Sequence, residues 1–190
     1  MIIGRAQDIA AVGTFSRAYG LVEIFNKLVL RSIMPVCLPY FAKGVREQGT
    51  PLPGLLKSIS ILTVIGWPFL LFMAVAAFPA IRIMYGAQWV DSAPLARLLC
   101  VVAAVELLYY PAKEAMLALG LANQSNQLQM LTQGLRVLGL LAAVPFGLAG
   151  ACWGLLAAAS IGAVLSHRYL ASHTSLHWVD TLAATKASVQ

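Results

Sequence analysis

Charged side chains are scarce along this chain of 190 residues. Asp, Glu, Lys and Arg together make up 11% of it, whereas 60% of the residues are hydrophobic. Soluble globular proteins carry more than twice this share of charge. The composition therefore argues against a soluble protein and favours one that lies in a membrane.

Motifs for bond-making chemistry are also missing from the sequence. It has no G-x-x-x-x-G-K-[ST] phosphate loop, no H-E-x-x-H, no G-x-S-x-G and no paired carboxylates in a soluble loop. No segment is large enough for a soluble catalytic domain, so we expect neither enzymatic activity nor a cofactor. The net charge of +6 is modest and follows the predicted cytoplasmic loops, so nucleic acid is not an expected partner.

Metal-binding patterns are not apparent either. The three cysteines lie in apolar segments without a C-x-x-C spacing: Cys37, Cys100 and Cys152. Free buried thiols are the expected state of such residues. The three histidines have no cluster of cysteines or carboxylates beside them: His167, His173 and His177. We therefore expect no metal site.

Long apolar runs dominate what is present. The run Ser58–Ile81 carries no charge and lies between Lys57 and Arg82. As a helix it spans roughly 36 Å, enough to cross a hydrocarbon core of about 30 Å. We predict an all-α integral membrane protein with five transmembrane helices and a cytoplasmic tail at 171–190. The predicted spans are about 12–42, 55–84, 93–119, 125–144 and 148–170.

The distribution of Lys and Arg predicts the orientation. Six of these residues fall on one side of the five spans and three on the other. Because basic loops stay inside, the C-terminus is expected in the cytoplasm and the N-terminus outside. The first residues, MIIGRAQDIA, do not follow the signal-peptide pattern. An outside N-terminus would be natural if another helix preceded this one.

The first predicted span carries a stripe of charge formed by Arg17, Glu23, Lys27 and Arg31. On an α-helix these residues cover about a third of the circumference. Charge persists inside membranes mainly where it faces a cavity or a partner, so the stripe indicates something anionic. Glu23 and Lys27 have the spacing of an intrahelical pair. The alternative is that the pair neutralises itself while both arginines reach the interfaces.

Two further spans carry polar residues. In the fourth span the polar face consists of Asn126, Gln129, Thr132, Gln133 and Arg136. Such a face either lines an aqueous path for a hydroxyl-rich solute or joins helices by hydrogen bonds. Glu106 of the third span is a candidate for ion coupling. Alternatively, it is the partner of Arg97 or of an arginine on a neighbouring helix.

The order of four segments resembles a known family. They are IIGRAQDIAAVGTFSRAYGL, RSIMPVCLPYFAK, MYGAQWVDSAPLARLLCV, and LALGLANQSNQ followed by VPFGLAGACWGLLAA. Together they cover about residues 2–170. The chain resembles the C-terminal part of polysaccharide transporters, the Wzx-type O-antigen or oligosaccharide flippases. These belong to the multidrug/oligosaccharidyl-lipid/polysaccharide exporter superfamily.

The resemblance implies two six-helix bundles that face each other across a central cavity, of which this chain would supply most of one. It also implies translocation of undecaprenyl-pyrophosphate-linked oligosaccharide across the bacterial inner membrane, for lipopolysaccharide or exopolysaccharide synthesis. Half a cavity would not by itself open alternately to the two sides of the membrane. The chain would then be a truncated copy, or a second chain would supply the missing bundle.

The resulting hypothesis is a cationic wall for the pyrophosphate, with amides that bind sugar hydroxyls. The wall is expected from Arg17, Lys27, Arg31 and Arg136, with Glu23 on the same stripe, and the amides are Asn126, Gln129 and Gln133. The expected partners are the lipid-linked oligosaccharide and membrane lipids.

The alternatives are a drug/cation antiporter of the same superfamily, a membrane-embedded enzyme acting on lipid-linked sugar, and a non-transporting subunit or remnant. An antiporter would need mostly acidic lining residues, and an enzyme would need a His or carboxylate cluster at an interface.

Overall fold

The structure is a computed structural model, and residues 2–143 and 147–172 are described. Within those ranges all regular secondary structure is helical. The α-helices are α1 (Ile2–Phe25), α2 (Arg31–Gln48), α3 (Leu52–Val75), α4 (Ala77–Tyr85), α5 (Ala93–Glu106), α6 (Ala112–Ala118), α7 (Ala122–Ala143) and α8 (Gly147–Ala171). A π-helical turn, Asn26–Leu30, joins α1 to α2, and a 3-10 turn, Ala87–Ser92, precedes α5.

Three helical stretches are long and apolar enough to cross a membrane: Leu52–Val75, Ala87–Glu106 and Gly147–Ala171. Large apolar side chains on α3 face outward, including Leu71 and Phe72, which are each 67% exposed. In water such a surface would aggregate, whereas in lipid it needs no cover. The chain is an all-α membrane protein, as its composition predicted.

The helix ends have local causes. α2 ends at Gln48 and is capped by Gly49, whose φ of 71° places it in the left-handed region that only glycine adopts easily. Pro51 follows two residues later and cannot continue the α2 hydrogen bonds. α5 ends before Pro111, and the segment 107–111 forms consecutive turns.

The predicted spans correspond to helices of different kinds. The first is a continuous helical rod through α1, the π turn and α2. The second contains most of α3 and of α4, with a break at Ala76, and the third contains α5 and α6. The fourth and fifth overlap α7 and α8. Among the predicted segments, 144–146 and the tail from 173 onward lie outside the described residues.

α5 lies at the centre of the bundle and packs against α1, α3 and α8. One buried cluster joins α1, α3 and α5 through Leu21, Phe25, Leu62 and Leu99. A second cluster lies at the other end of the bundle and joins α2, α3 and α6. α7 packs on α8 and, less extensively, on α6, and another of its faces borders a cavity.

The turn after α5 is held by a tryptophan of α3. Leu108 N–H donates to the carbonyl of Val105 at 3.2 Å and not to that of Ala104. The indole Nε1–H of Trp67 donates to the Ala104 carbonyl at 3.2 Å. The hydrogen bond that α5 loses at its end is therefore replaced by one from α3. This break fixes Glu106 at the last position of α5.

Candidate functional site

A cavity of about 310 Å³ lies between α2, the turn after α5, α6, α7 and α8. Its lining is mixed in polarity and includes both acids and bases, which is unusual inside an apolar bundle. The lining residues are Met34, Glu106, Tyr109, Tyr110, Ala112, Lys113, Glu114, Ser125, Leu128, Gln129, Thr132, Gln133, Arg136 and Ser166.

α7 supplies the largest share of the lining. The residues it contributes recur three or four positions apart, from Ser125 through Gln129 and Gln133 to Arg136. This is the spacing of one helix face. Asn126 is exposed and does not line the cavity, because it lies about 100° around the helix from Ser125.

Arg136 and Glu106 form an ion pair across two helices. The guanidinium Nη2 of Arg136 donates to Oε1 of Glu106. The side chains are 30% and 18% exposed, so both charges are largely withdrawn from the surroundings and depend on each other. Of the two partners predicted for Glu106, the structure has the arginine of a neighbouring helix.

Two buried polar atoms at the cavity have no hydrogen-bond partner within the part of the chain that the structure describes. They are Oε2 of Glu114 and Oγ of Ser125. A buried polar atom without a partner costs about 1–3 kcal/mol. A ligand that brings hydroxyl groups would satisfy both.

The charged stripe of the first helix is reshaped by the π turn. Glu23 accepts a hydrogen bond from Asn26 Nδ2 at 3.1 Å and forms an ion pair with Arg31 at 3.4 Å. In a regular α-helix Arg31 would lie about 80° around the axis from Glu23. The π turn absorbs one additional residue and brings the two onto nearly one line. The predicted pairing of Glu23 with Lys27 is therefore replaced by a pairing with Arg31.

Glu23 of the stripe lies within electrostatic range of the cavity lining, although none of the four stripe residues lines the cavity itself. Tyr19 of α1 interacts electrostatically with Glu23 and also with Arg136 and Glu106. Tyr110 interacts with Glu106 and also with Glu23. Both tyrosines thus lie within electrostatic range of Glu23 on the stripe and of Glu106 at the cavity. We call the cavity lining, together with Tyr19 and the stripe residues Glu23, Lys27 and Arg31, the polar groove.

Arg17 occupies a different environment. Its guanidinium carbon lies 5.4 Å from the ring centroid of Tyr85 and 5.1 Å from that of Trp89. These are cation–π distances. Gly13 and Gly20, one turn to either side of Arg17, provide the room for the two aromatic rings. Arg17 therefore joins α1 to the end of α4 and to the 3-10 turn, and it is not among the residues lining the cavity.

Lys27 differs from the other bases of the stripe. It is exposed, and among the described residues it takes part in no ion pair. Arg31 and Arg136 are each matched by a glutamate. The groove is therefore less cationic than the sequence suggests, since most of its charge is arranged in acid–base pairs.

Several lining residues were not singled out as binding candidates from the sequence. Glu114, Ser125 and Tyr109 line the cavity. Ser125 shares the polar α7 face and could have been identified from its spacing. Tyr109 depends on the turn after α5, and no helical periodicity reveals it. Across the described ranges no group of three or more His, Cys, Asp or Glu residues is arranged to hold a metal ion.

Comparison with known proteins identifies relatives. Residues 1–94 match a family described as "Polysaccharide biosynthesis protein". The chain is 28% identical over 127 residues to the teichuronic acid biosynthesis protein TuaB of Bacillus subtilis. It is 27% identical over 99 residues to the succinoglycan biosynthesis transport protein ExoT of Rhizobium meliloti. The resemblance to polysaccharide transporters carried by the sequence motifs is confirmed.

The extent of these matches is limited. They cover 65% and 52% of this chain but only 26% and 20% of TuaB and ExoT. The chain thus matches about a quarter of the length of these relatives. No solved structure matches it significantly.

Proposed function

We propose that this chain forms one wall of a pathway that moves undecaprenyl-pyrophosphate-linked oligosaccharide across the bacterial inner membrane, for lipopolysaccharide or exopolysaccharide synthesis. The polar groove carries the proposal. It holds ion pairs, amides and hydroxyls within an apolar bundle, which suits a ligand with charged and hydroxyl-rich parts. The relatives named for polysaccharide biosynthesis and transport support the same class of cargo.

In this proposal the bases of the groove bind the pyrophosphate. Lys27, Arg31 and Arg136 are the candidates, since cations bind phosphate oxygens through charge-assisted hydrogen bonds. Arg17 is the weakest of the predicted binding residues, because its charge is already engaged by two aromatic rings. The lipid tail remains in the bilayer throughout.

Sugar hydroxyls are proposed to bind along α7. Gln129 and Gln133 offer both donors and acceptors to the cavity. The unpartnered oxygens of Glu114 and Ser125 add two acceptors. Asn126 lies at the exposed margin of this face, where a longer glycan would reach it.

Glu106 is proposed as the residue that couples translocation to an ion. Its carboxylate holds Arg136, so protonation of Glu106 would release the guanidinium to the pyrophosphate. No covalent bond is made or broken at any step, so the proposal is a transporter and not an enzyme. Movement would come from rocking this bundle against a second one, supplied by the same protein or another chain. The C-terminus is proposed to lie in the cytoplasm.

The test is polysaccharide export by the full-length protein in a host that lacks its own exporter. The double variant Lys27→Gln/Arg31→Gln should abolish surface polysaccharide, and lipid-linked oligosaccharide should accumulate in the inner membrane. The matched control is Lys43→Gln/Arg46→Gln, which removes two positive charges near the end of α2, away from the cavity.

Protein abundance in the membrane is measured for both double variants. Normal surface polysaccharide from Lys27→Gln/Arg31→Gln at normal abundance would overturn the assignment of these residues. Equal loss in the control would show that overall charge, and not the polar groove, matters. Failure of the unaltered full-length protein to export any polysaccharide would refute the proposed function itself.

A further inference from the structure

The π turn at Asn26–Leu30 lies between Glu23 and Arg31, the two residues of the charged stripe that form an ion pair. Its ring is closed by Arg31 N–H, which donates to the carbonyl of Asn26 five residues earlier. π turns are uncommon in proteins, but those that occur are often found at functional sites. Here the turn adds one residue to the helix and so changes the rotation of Arg31 relative to Glu23. The turn therefore determines which base can reach Glu23.

The first two turns of the helix that follows are weakened in three places. Pro35 has no N–H, so the carbonyl of Arg31 lacks its usual donor four residues later. Ser32 Oγ donates to the carbonyl of Leu28 at 3.0 Å, and Cys37 Sγ donates to that of Ile33 at 3.6 Å. Side chains that bond to the preceding turn soften and bend a helix.

Pro35 also makes a second position available to the π turn. A π hydrogen bond joins residues five apart, so Val36 N–H can donate to the carbonyl of Arg31. That carbonyl is the one that Pro35 leaves without a donor. Moving the turn toward Val36 would therefore cost little in hydrogen bonds. It would leave the buried anchors Phe25 and Phe41 in place, but it would rotate Leu30, which is 3% exposed, out of its packed position.

We propose that the π turn migrates between these two positions and that Glu23 exchanges its basic partner as it does so. With the turn at Asn26–Leu30, Glu23 holds Arg31, and Lys27 has no ion-pair partner in the described part of the chain. With the turn near Val36, residues 23–30 become regular α-helix. Glu23 and Lys27 then have the spacing of an intrahelical pair, and Arg31 rotates away.

The exchange rests on the proposed function and deepens it. A phosphate or pyrophosphate group in the polar groove would meet Lys27 in one state and Arg31 in the other. The two bases lie four residues apart, about 6 Å along the axis. An anion can thus pass from one base to the next, and in neither state are Lys27 and Arg31 both without an acidic partner.

Spin labels on the full-length protein test the migration directly. Leu28 is 63% exposed and changes face when the turn moves, whereas Val64 of α3 is 44% exposed and does not. A rotation of about 100° on a helix of this diameter displaces the side chain by roughly 8 Å. Labels at Leu28→Cys and Val64→Cys should therefore show two distances. The pair Val12→Cys and Val64→Cys, upstream of the turn, should show one.

Two proline variants provide the matched comparison. Pro35→Ala gives the Arg31 carbonyl its α-helical donor and should reduce the Leu28–Val64 pair to one distance. Pro39→Ala makes the same change one turn later in the same helix and should leave both distances. Polysaccharide export should fall severalfold in Pro35→Ala and remain near normal in Pro39→Ala, with both proteins at normal abundance.

The outcomes separate this proposal from the function on which it rests. A single distance in the unaltered helix, or two distances that persist in Pro35→Ala, would overturn the migration even if export is normal. Two distances in a full-length protein that exports nothing would leave the migration standing and refute the transport function.

Discussion

The ion pair between Arg136 and Glu106 allows a quantitative test of how the polar groove is held together. In Arg136→Gln, the carboxylate of Glu106 loses its partner while only 18% of its side chain is exposed. Breaking a buried ion pair by removing one partner costs about 3–5 kcal/mol. Because 30% of the Arg136 side chain is exposed, screening reduces the expected loss to about 2 kcal/mol.

The reverse variant should be milder. Glu106→Gln leaves the guanidinium of Arg136 without its partner. The Arg136 side chain is more exposed than that of Glu106, and it is long enough for its charge to reach a polar surface. We expect a loss of about 1 kcal/mol. The double variant Glu106→Gln/Arg136→Gln contains two neutral amides that can hydrogen-bond with each other. Its expected loss is also about 1 kcal/mol, which makes the coupling between the two positions about 2 kcal/mol.

The three buried cysteines provide the assay. A thiol-reactive dye labels them only as the protein unfolds, so fluorescence during heating in detergent gives a midpoint for each variant. For a chain of this size 1 kcal/mol corresponds to about 2–4 °C. Arg136→Gln should therefore lower the midpoint by about 4–8 °C, and the double variant by half as much.

Additivity would refute this reasoning. If the double variant loses the sum of the two single losses, the coupling is zero and the pair contributes nothing to stability. Leu138→Ala, a truncation on an exposed position of the same helix, serves as the reference for changes in α7 that leave the pair intact. Its midpoint should stay within about 2 °C of the unaltered protein.

Three further variants probe the framework of the bundle. Trp67→Phe removes the indole donor from the Ala104 carbonyl and should lower the midpoint by about 2–4 °C, corresponding to about 1 kcal/mol; an unchanged midpoint would mean that the hydrogen bond at the end of α5 is dispensable. Gly139→Ala places a methyl group 2.7 Å from a backbone oxygen of α8, whereas Gly134→Ala meets nothing within 4 Å, so only the former should lower the midpoint. Arg17→Ala should lower the midpoint by a few degrees, because its contacts with two aromatic rings are lost, and it should leave export near normal. Loss of export at normal protein abundance would instead indicate that Arg17 binds the transported oligosaccharide.

Much of the architecture was predictable because it depends on local sequence. The charge-free run Ser58–Ile81 becomes part of one long helix and the helix after it, since an apolar chain in lipid must satisfy its backbone internally. The third predicted span is interrupted by the turns at 107–111, which end at Pro111, a residue without a backbone donor. The polar face of α7 was also predictable, as helical periodicity places Gln129, Gln133 and Arg136 together.

Partners of the charged residues were not predictable in the same way. A helical wheel shows which face Glu106 occupies, but not which neighbouring helix presents a base to that face. The rotational setting of α7 is fixed by close packing on α8, where Gly139 meets the backbone of Gly154. That contact is a property of two helices together, and neither helix encodes it alone.

The sequence by itself thus determined that the chain is a helical membrane protein, that it resembles polysaccharide transporters, and that a few polar residues lie along its helices. Tertiary structure decided how those residues are used. It stacked Arg17 on two aromatic rings, paired Arg136 with Glu106, and used a π turn to align Glu23 with Arg31. The physical reason is range: hydrophobicity and helical period act within one segment, whereas the partner of a charge depends on how segments meet.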